Sequence, residues 1–180
     1  ILDSGMPVVS GDGAPPDLPR PTVSIASDHD IMIGRILDHL EARGARSPAL
    51  ISAGRSTQWA QQVESGYAEW ARRRGLAPRI VEAANPTDAD AVDEAARMLL
   101  TSPTPPDAIV AVPSETAVRV EAVAQQLGYD IGGDFLLAAY ADSPSLSLSV
   151  PAVTAVELYP REFGRRCAST LMDLIDGQAA

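Results

Sequence analysis

Short apolar runs alternate along the chain with longer segments in which apolar residues recur every three or four positions. Alternating strand and helix periods of this kind imply an α/β fold with a parallel, doubly wound sheet. The clearest unit is residues 106–128, PDAIVAVPSETAVRVEAVAQQLG. Residues 108–112 are continuously apolar, as in a strand covered on both faces. Pro113 ends that strand, Ser114 is placed to cap the following helix, and Val120, Val123, Ala124 and Leu127 repeat at helical spacing up to Gly128. Ligands of parallel sheets gather at the carboxyl ends of strands, so the turn at residues 113–115 is expected to face a crevice.

The same pattern predicts strands at 6–9, 22–26, 48–53, 79–83, 135–139 and 153–158. Between them it predicts a helix running to about Arg43 with Ile33, Ile36, Leu37 and Leu40 on one face, and one carrying Trp59, Val63, Tyr67 and Trp70. A third runs to Leu100 from a capping box of Thr87 and Asp90 after an Asn85-Pro86 turn. A last helix opens at Pro160 and turns Phe163, Cys167, Leu171 and Leu174 inward. The pattern divides the chain into a partial first lobe, residues 1–46 with 157–180 returning to it, and a second lobe of residues 47–156. Two strands make a poor core, so more of the first lobe is expected upstream of Ile1.

Composition narrows the function. The formal charge is -10 over 180 residues; a chain that grips phosphates needs clustered Lys and Arg. The basic run Arg72-Arg73-Arg74 falls at a predicted helix C-terminus, where it complements the helix dipole. Cys167 is the only cysteine, which precludes an internal disulfide and favours a reducing compartment. No apolar run reaches the roughly 18 residues needed to span a bilayer.

Several pieces, in order and at matching spacing, resemble the effector-binding region of LacI/GalR-type bacterial transcription regulators. They are MPVVSGD; VSIASD leading into a helix ending DHLEARG; SGYAEWARRRG; PDAIVAV before a helix ending QQLG; LLAAYADS; and VTAVELYPREFGRRCASTLMDLIDG. The resemblance implies a two-lobed fold like that of periplasmic sugar-binding proteins, with its N-lobe incomplete here. It further implies a cytoplasmic homodimer, a small effector (sugar-like or another metabolite) held between the lobes, and operator DNA bound only by an N-terminal helix-turn-helix that this chain lacks. No cofactor, metal or membrane is implied. The alternative on the same fold is a periplasmic or extracellular solute-binding protein of a sugar transport system.

Carried over position by position, the resemblance places Asp12 and Asp28 at the pocket, where carboxylates accept hydrogen bonds from ligand hydroxyls or amines. Ser56, Trp59, Asn85, Ser114, Tyr140 and Asp142 complete the candidate ligand-binding set. Other positions depart from the family: the usual anchoring arginine is Val63, the polar pair after the organising strand is Pro113-Ser114, the first acid after the aromatic is Ala141, and the usual Gln before the last helix is Leu158. These losses point either to an unusual, more apolar effector than a hexose or to a sensor that no longer binds a sugar. An enzyme is not expected: no G-x-S-x-G elbow is present, and neither His29 nor His39 is placed to serve as a base for Ser10, Ser27 or Ser56. Asp28-His29-Asp30 are adjacent at a helix start and do not converge on one ion; Ser27 or Asp28 is the expected N-cap there.

Overall fold

The computed structural model describes residues 6–13, 22–83 and 88–178, with all but the Ser114 side chain inside those spans. Asn85 and Thr87 lie outside them. Among the described residues, two parallel sheets form. The small one pairs β1 (Val9–Gly11) with β2 (Val23–Ile25), Val9 opposite Val23. The large one has five parallel strands in the order β4 (Ile80–Glu82), β3 (Pro48–Ser52), β5 (Ala108–Ala111), β6 (Leu136–Ala139), β7 (Thr154–Ala155).

Side chains alternate across the large sheet because the strand period is two. Ala49, Ile51, Ile109, Ala111, Leu137 and Ala139 face one core, shared with α3 (Ala89–Leu100) and α4 (Ser114–Gln126). Leu50, Ala108, Val110, Ala138 and Tyr140 face the other, shared with α1 (His29–Ala42) and α2 (Gln58–Arg73). Both faces are covered, so β3 and β5 read as unbroken apolar runs. Each fully buried Leu, Ile or Val side chain contributes roughly 1.5–3 kcal/mol relative to exposure. The alanines keep the layers close, and α1 crosses α2 at Gly66, where a Cβ would sit 2.6 Å from Ile33 Cγ2 and 2.8 Å from Asp30 Cα.

The packing differs from the sequence expectation in a few places. α1, grouped by the sequence with β1 and β2, packs on α2 and the large sheet through Ile33, Leu37 and Leu40. The first strand is Val9–Gly11, shifted toward Asp12 because pairing with β2 selects the register. α4 starts at Ser114 itself, with Pro113 as the cap residue and no side-chain cap bond. α3 is capped by Asp88, whose carboxylate accepts from Asp90 N at 3.0 Å. Asp28 occupies the N-cap position of α1 without a side-chain cap bond. The last strand shrinks to Thr154–Ala155. α5 (Pro160–Ile175) lies on β1, and a Cβ on Gly11 would meet Phe163 at 2.8 Å. Phe163, Cys167, Leu171 and Leu174 are half-buried there, none fully.

The basic run at the end of α2 ties it to its neighbour. Arg74 lies 4.0 Å from the centre of the Trp70 ring and pairs with Asp38 at 2.8 Å and Glu41 at 2.7 Å on α1, while Arg72 and Arg73 reach Glu69. The hydrogen bond from Arg74 holds the Glu41 carboxyl below the usual carboxylate range.

Candidate functional site

In the large sheet the chain enters at β3, places β4 on one side and β5 on the other. That reversal of direction, between β3 and β5, is the switch point, and ligands of such sheets bind outside the carboxyl ends of the strands that flank it. The loop after β3 is built on a buried acid. Glu64, 5% exposed, accepts the Ser52 hydroxyl at 2.5 Å on Oε1 and Arg55 Nη1 at 3.0 Å on Oε2. Ser52 Oγ in turn accepts Gly54 N at 3.0 Å, and Gln61 Nε2 donates to Arg55 O at 2.8 Å. Thr57 caps α2 through Ala60 N. With the loop held by these bonds, Arg55, Ser56 and Gln58 stand exposed beyond the carboxyl end of β3, the mouth of the expected crevice.

A second group joins the exits of the two sheets. Asp12 follows β1 with φ 53, a left-handed conformation that Asp tolerates better than most residues. Its N donates to Ile25 O at 2.8 Å, and its Oδ1 accepts Ser27 N at 2.8 Å. The same Oδ1 lies 3.1 Å from His29 Nε2, off the direction of a hydrogen bond, so the contact acts through charge when the ring is protonated. On the other side, His29 Nδ1 lies 2.7 Å from the Tyr140 hydroxyl at the end of β6. The His29 ring stands 6.1 Å from that of Trp59 and 5.9 Å from that of Tyr140, tilted 49° to each. Burial, then the Asp12 and Asp30 carboxylates, push the Tyr140 phenol up, so it stays neutral in the ordinary pH range.

Of the residues expected to line a pocket, Asp12, Trp59 and Tyr140 come together around His29. Asp28, Ser56 and Asp142 are exposed along the same edge, and Ser114 opens α4 beside the end of β5. Asn85 lies outside the described residues. Asp142 and Glu157 line a cavity of ≈ 500 Å³ with Ala141, Ser147 and Leu158. Among the described residues, the non-glycine positions with positive φ are Asp12, Ala141 and Tyr159, all at this edge, and backbone strain concentrates at ligand sites and switch regions. The residue that sequence reasoning missed is His29, 2% exposed. Its signal was present: positions 29, 33, 36 and 40 share one helical face. A polar histidine there reads as solvated until its partners are known. Among the described residues no group of His, Cys, Asp or Glu is arranged to hold a metal ion, and no helix is long and apolar enough to cross a membrane.

Residues 37–180 match the periplasmic binding protein-like domain family, and the chain belongs to it. The family and fold are those of binding proteins and regulators, not of enzymes. Among solved structures, the chain is similar to an uncharacterized protein from Actinobacillus succinogenes, with 28% identity over 92% of this chain and 60% of that one, at a TM-score of 0.82. A LacI family transcriptional regulator from Mycobacterium smegmatis is 27% identical over 97% of this chain and 64% of its own, also at 0.82. A regulatory protein of LacI family from Chloroflexus aggregans covers 99% of this chain and 64% of its own at 22% identity, with a TM-score of 0.88. The chain thus spans 60–64% of the length of these neighbours. No curated protein matches it.

Proposed function

We propose that the chain is the effector-sensing and dimerising region of a LacI-type transcriptional regulator, and that it holds a small molecule at the carboxyl edge of its two sheets. The observation that carries this reading is the likeness to the Mycobacterium smegmatis LacI family regulator along 97% of the chain. The physical layout supports it: the switch point, the strained backbone positions and the crossing between the sheets all fall on one edge. Operator contact belongs to a separate helix-turn-helix, consistent with a formal charge of -10 on this chain. The protein works in the cytoplasm as a homodimer.

The effector is less charged than the ligands of family members that carry an anchoring arginine. Val63 stands in that place, fully buried in the core, and the exposed groups at the crevice mouth are Arg55, Ser56 and Gln58, beside half-buried Trp59. A ring-bearing metabolite less polar than a hexose, stacking on Trp59 and hydrogen-bonding to Ser56, Gln58 and Asp142, fits that set. Thermal-shift screening against sugars, nucleosides, polyols and amino acids tests it. A ligand at a hundredfold excess over its Kd stabilises the folded state by about 2.7 kcal/mol. The expected result is a shift from one class that Trp59→Ala removes, and release of operator by the same compound in the regulator that contains this chain. A silent panel, or a hit that leaves operator affinity unchanged, sinks the reading.

A further inference from the structure

Segments far apart in sequence converge on the imidazole of His29. Asp12 arrives from the exit of β1, Ser27 and His29 itself from the passage between β2 and α1, Trp59 from the first turn of α2, and Tyr140 from the exit of β6. Asp12 and Ser27 belong to the small-sheet side; Tyr140 and Trp59 belong to the large-sheet side. The loop after β1 also rests on the start of α2, for a Cβ on Gly13 would collide with Gln58 Oε1. Here both ring nitrogens face side chains from opposite sheets, and an indole stands beside the ring.

We infer that His29 is the positioning residue that couples the two sheets to the cleft: its ring sets the attitude of the Trp59 indole and links Asp12 to Tyr140. The inference rests on the effector-cleft reading above and adds its mechanics. Nδ1 shares a hydrogen bond with the Tyr140 hydroxyl, its direction set by the tautomer, while Nε2 stands 3.1 Å from Asp12 Oδ1 and feels its carboxylate through charge, not through an aligned hydrogen bond. Asp12 is held in turn by Ser27 N at 2.8 Å, one backbone link from the passage between the sheets. A molecule that presses on Trp59 tilts the imidazole, and the imidazole cannot move without changing its distance to Asp12 or to Tyr140. Occupancy is thereby registered where β2 hands over to α1. Linkage then requires the reverse: a change in sheet orientation alters affinity at Trp59 by the same factor.

The experiment uses the full chain in a Trp70→Phe background, so that emission reports Trp59 alone. Tyr140→Phe removes one hydroxyl and keeps the ring, and Asp12→Asn keeps the shape of the side chain; both are measured without ligand, with His29→Asn beside them. The expected result is a shifted Trp59 emission maximum in Tyr140→Phe and in Asp12→Asn. Amide exchange over residues 22–28 should be about fivefold faster in Tyr140→Phe, the effect of losing one buried hydrogen bond, faster to a smaller degree in Asp12→Asn, which removes a charge and keeps the acceptor for Ser27 N, and the double variant should fall short of the product of the single effects. Unchanged emission in a folded Tyr140→Phe, or fully multiplicative effects of the two substitutions, overturns the inference whatever a ligand screen returns. If His29→Asn fails to fold, the two conservative variants still decide. A failed ligand screen beside shifted emission and faster exchange overturns only the effector reading, because the coupling has been measured in the empty protein.

Discussion

His29 Nδ1 and the Tyr140 hydroxyl oxygen lie 2.7 Å apart although the residues are 111 positions apart in the chain. Both side chains are buried, so neither group has water to fall back on. Tyr140→Phe deletes the hydroxyl, leaves the ring in its core position, and orphans a buried ring nitrogen. The expected loss is about 1–2 kcal/mol of unfolding free energy, read from urea midpoints at neutral pH. A loss within a few tenths of a kcal/mol would mean that His29 finds another partner.

Stability should fall with alkali, and the sign follows from the two buried phenols. Tyr140 and Tyr67 are both raised above the ordinary 10.0, each chiefly by burial. Below about pH 10 both folded and unfolded chains keep these protons, and the contribution is constant. Above it the unfolded chain releases them while the folded chain holds them, so stability drops by up to about 1.4 kcal/mol per pH unit for each phenol. Urea midpoints between about pH 9 and pH 11 should decline in the parent and decline less steeply in Tyr140→Phe. Parallel slopes would show that Tyr140 titrates normally.

Two glycines in helices should respond in opposite directions to the same substitution. Gly66 sits at the α1–α2 crossing, where a Cβ would come within 2.8 Å of the Asp30 backbone; Gly66→Ala should cost about 1–3 kcal/mol by forcing the helices apart. Gly34 lies inside α1, where an added Cβ would meet nothing within 4 Å; Gly34→Ala should gain about 0.5–1 kcal/mol from helix propensity alone. Thermal unfolding of the two variants side by side checks both signs. A neutral Gly66→Ala would mean the crossing is loose.

The alternation of periods was enough to read the layers of the fold, because β3 and β5 are buried on both faces and their apolar runs have no competing interpretation. Elements whose limits depend on a partner were less legible. β1 begins at Val9 because that residue stands opposite Val23, a constraint no local pattern carries. The helix of residues 29–42 was readable, but the sheet it packs on was not, since Ile33 and Leu37 show only that some core lies beneath them. Within the site, Asp12, Trp59 and Tyr140 were recognisable one at a time. Their convergence on His29 joins residues from four separate elements, and only tertiary structure brings them together.

The loop after β3 offers a test of whether the crevice mouth is held by its buried acid or by its exposed base. Glu64 has a side chain 6% exposed and Arg55 one 60% exposed, joined at 3.0 Å. Arg55 keeps most of its hydration and gains little from the pair in high dielectric. Glu64 has surrendered its hydration and depends on both donors, Ser52 at 2.5 Å and Arg55. Removing the base therefore leaves a carboxylate that retains its shortest hydrogen bond, whereas Glu64→Gln sets an amide N–H group against a donor. Arg55→Gln should cost less than about 1 kcal/mol, and Glu64→Gln about 1.5–3 kcal/mol. Amide exchange at Gly54, whose N–H rests on Ser52 Oγ, should accelerate in Glu64→Gln and stay near the parent rate in Arg55→Gln. Equal costs for the two substitutions would place the strength of the loop in its surface ion pair, and the crevice mouth would then soften with added salt.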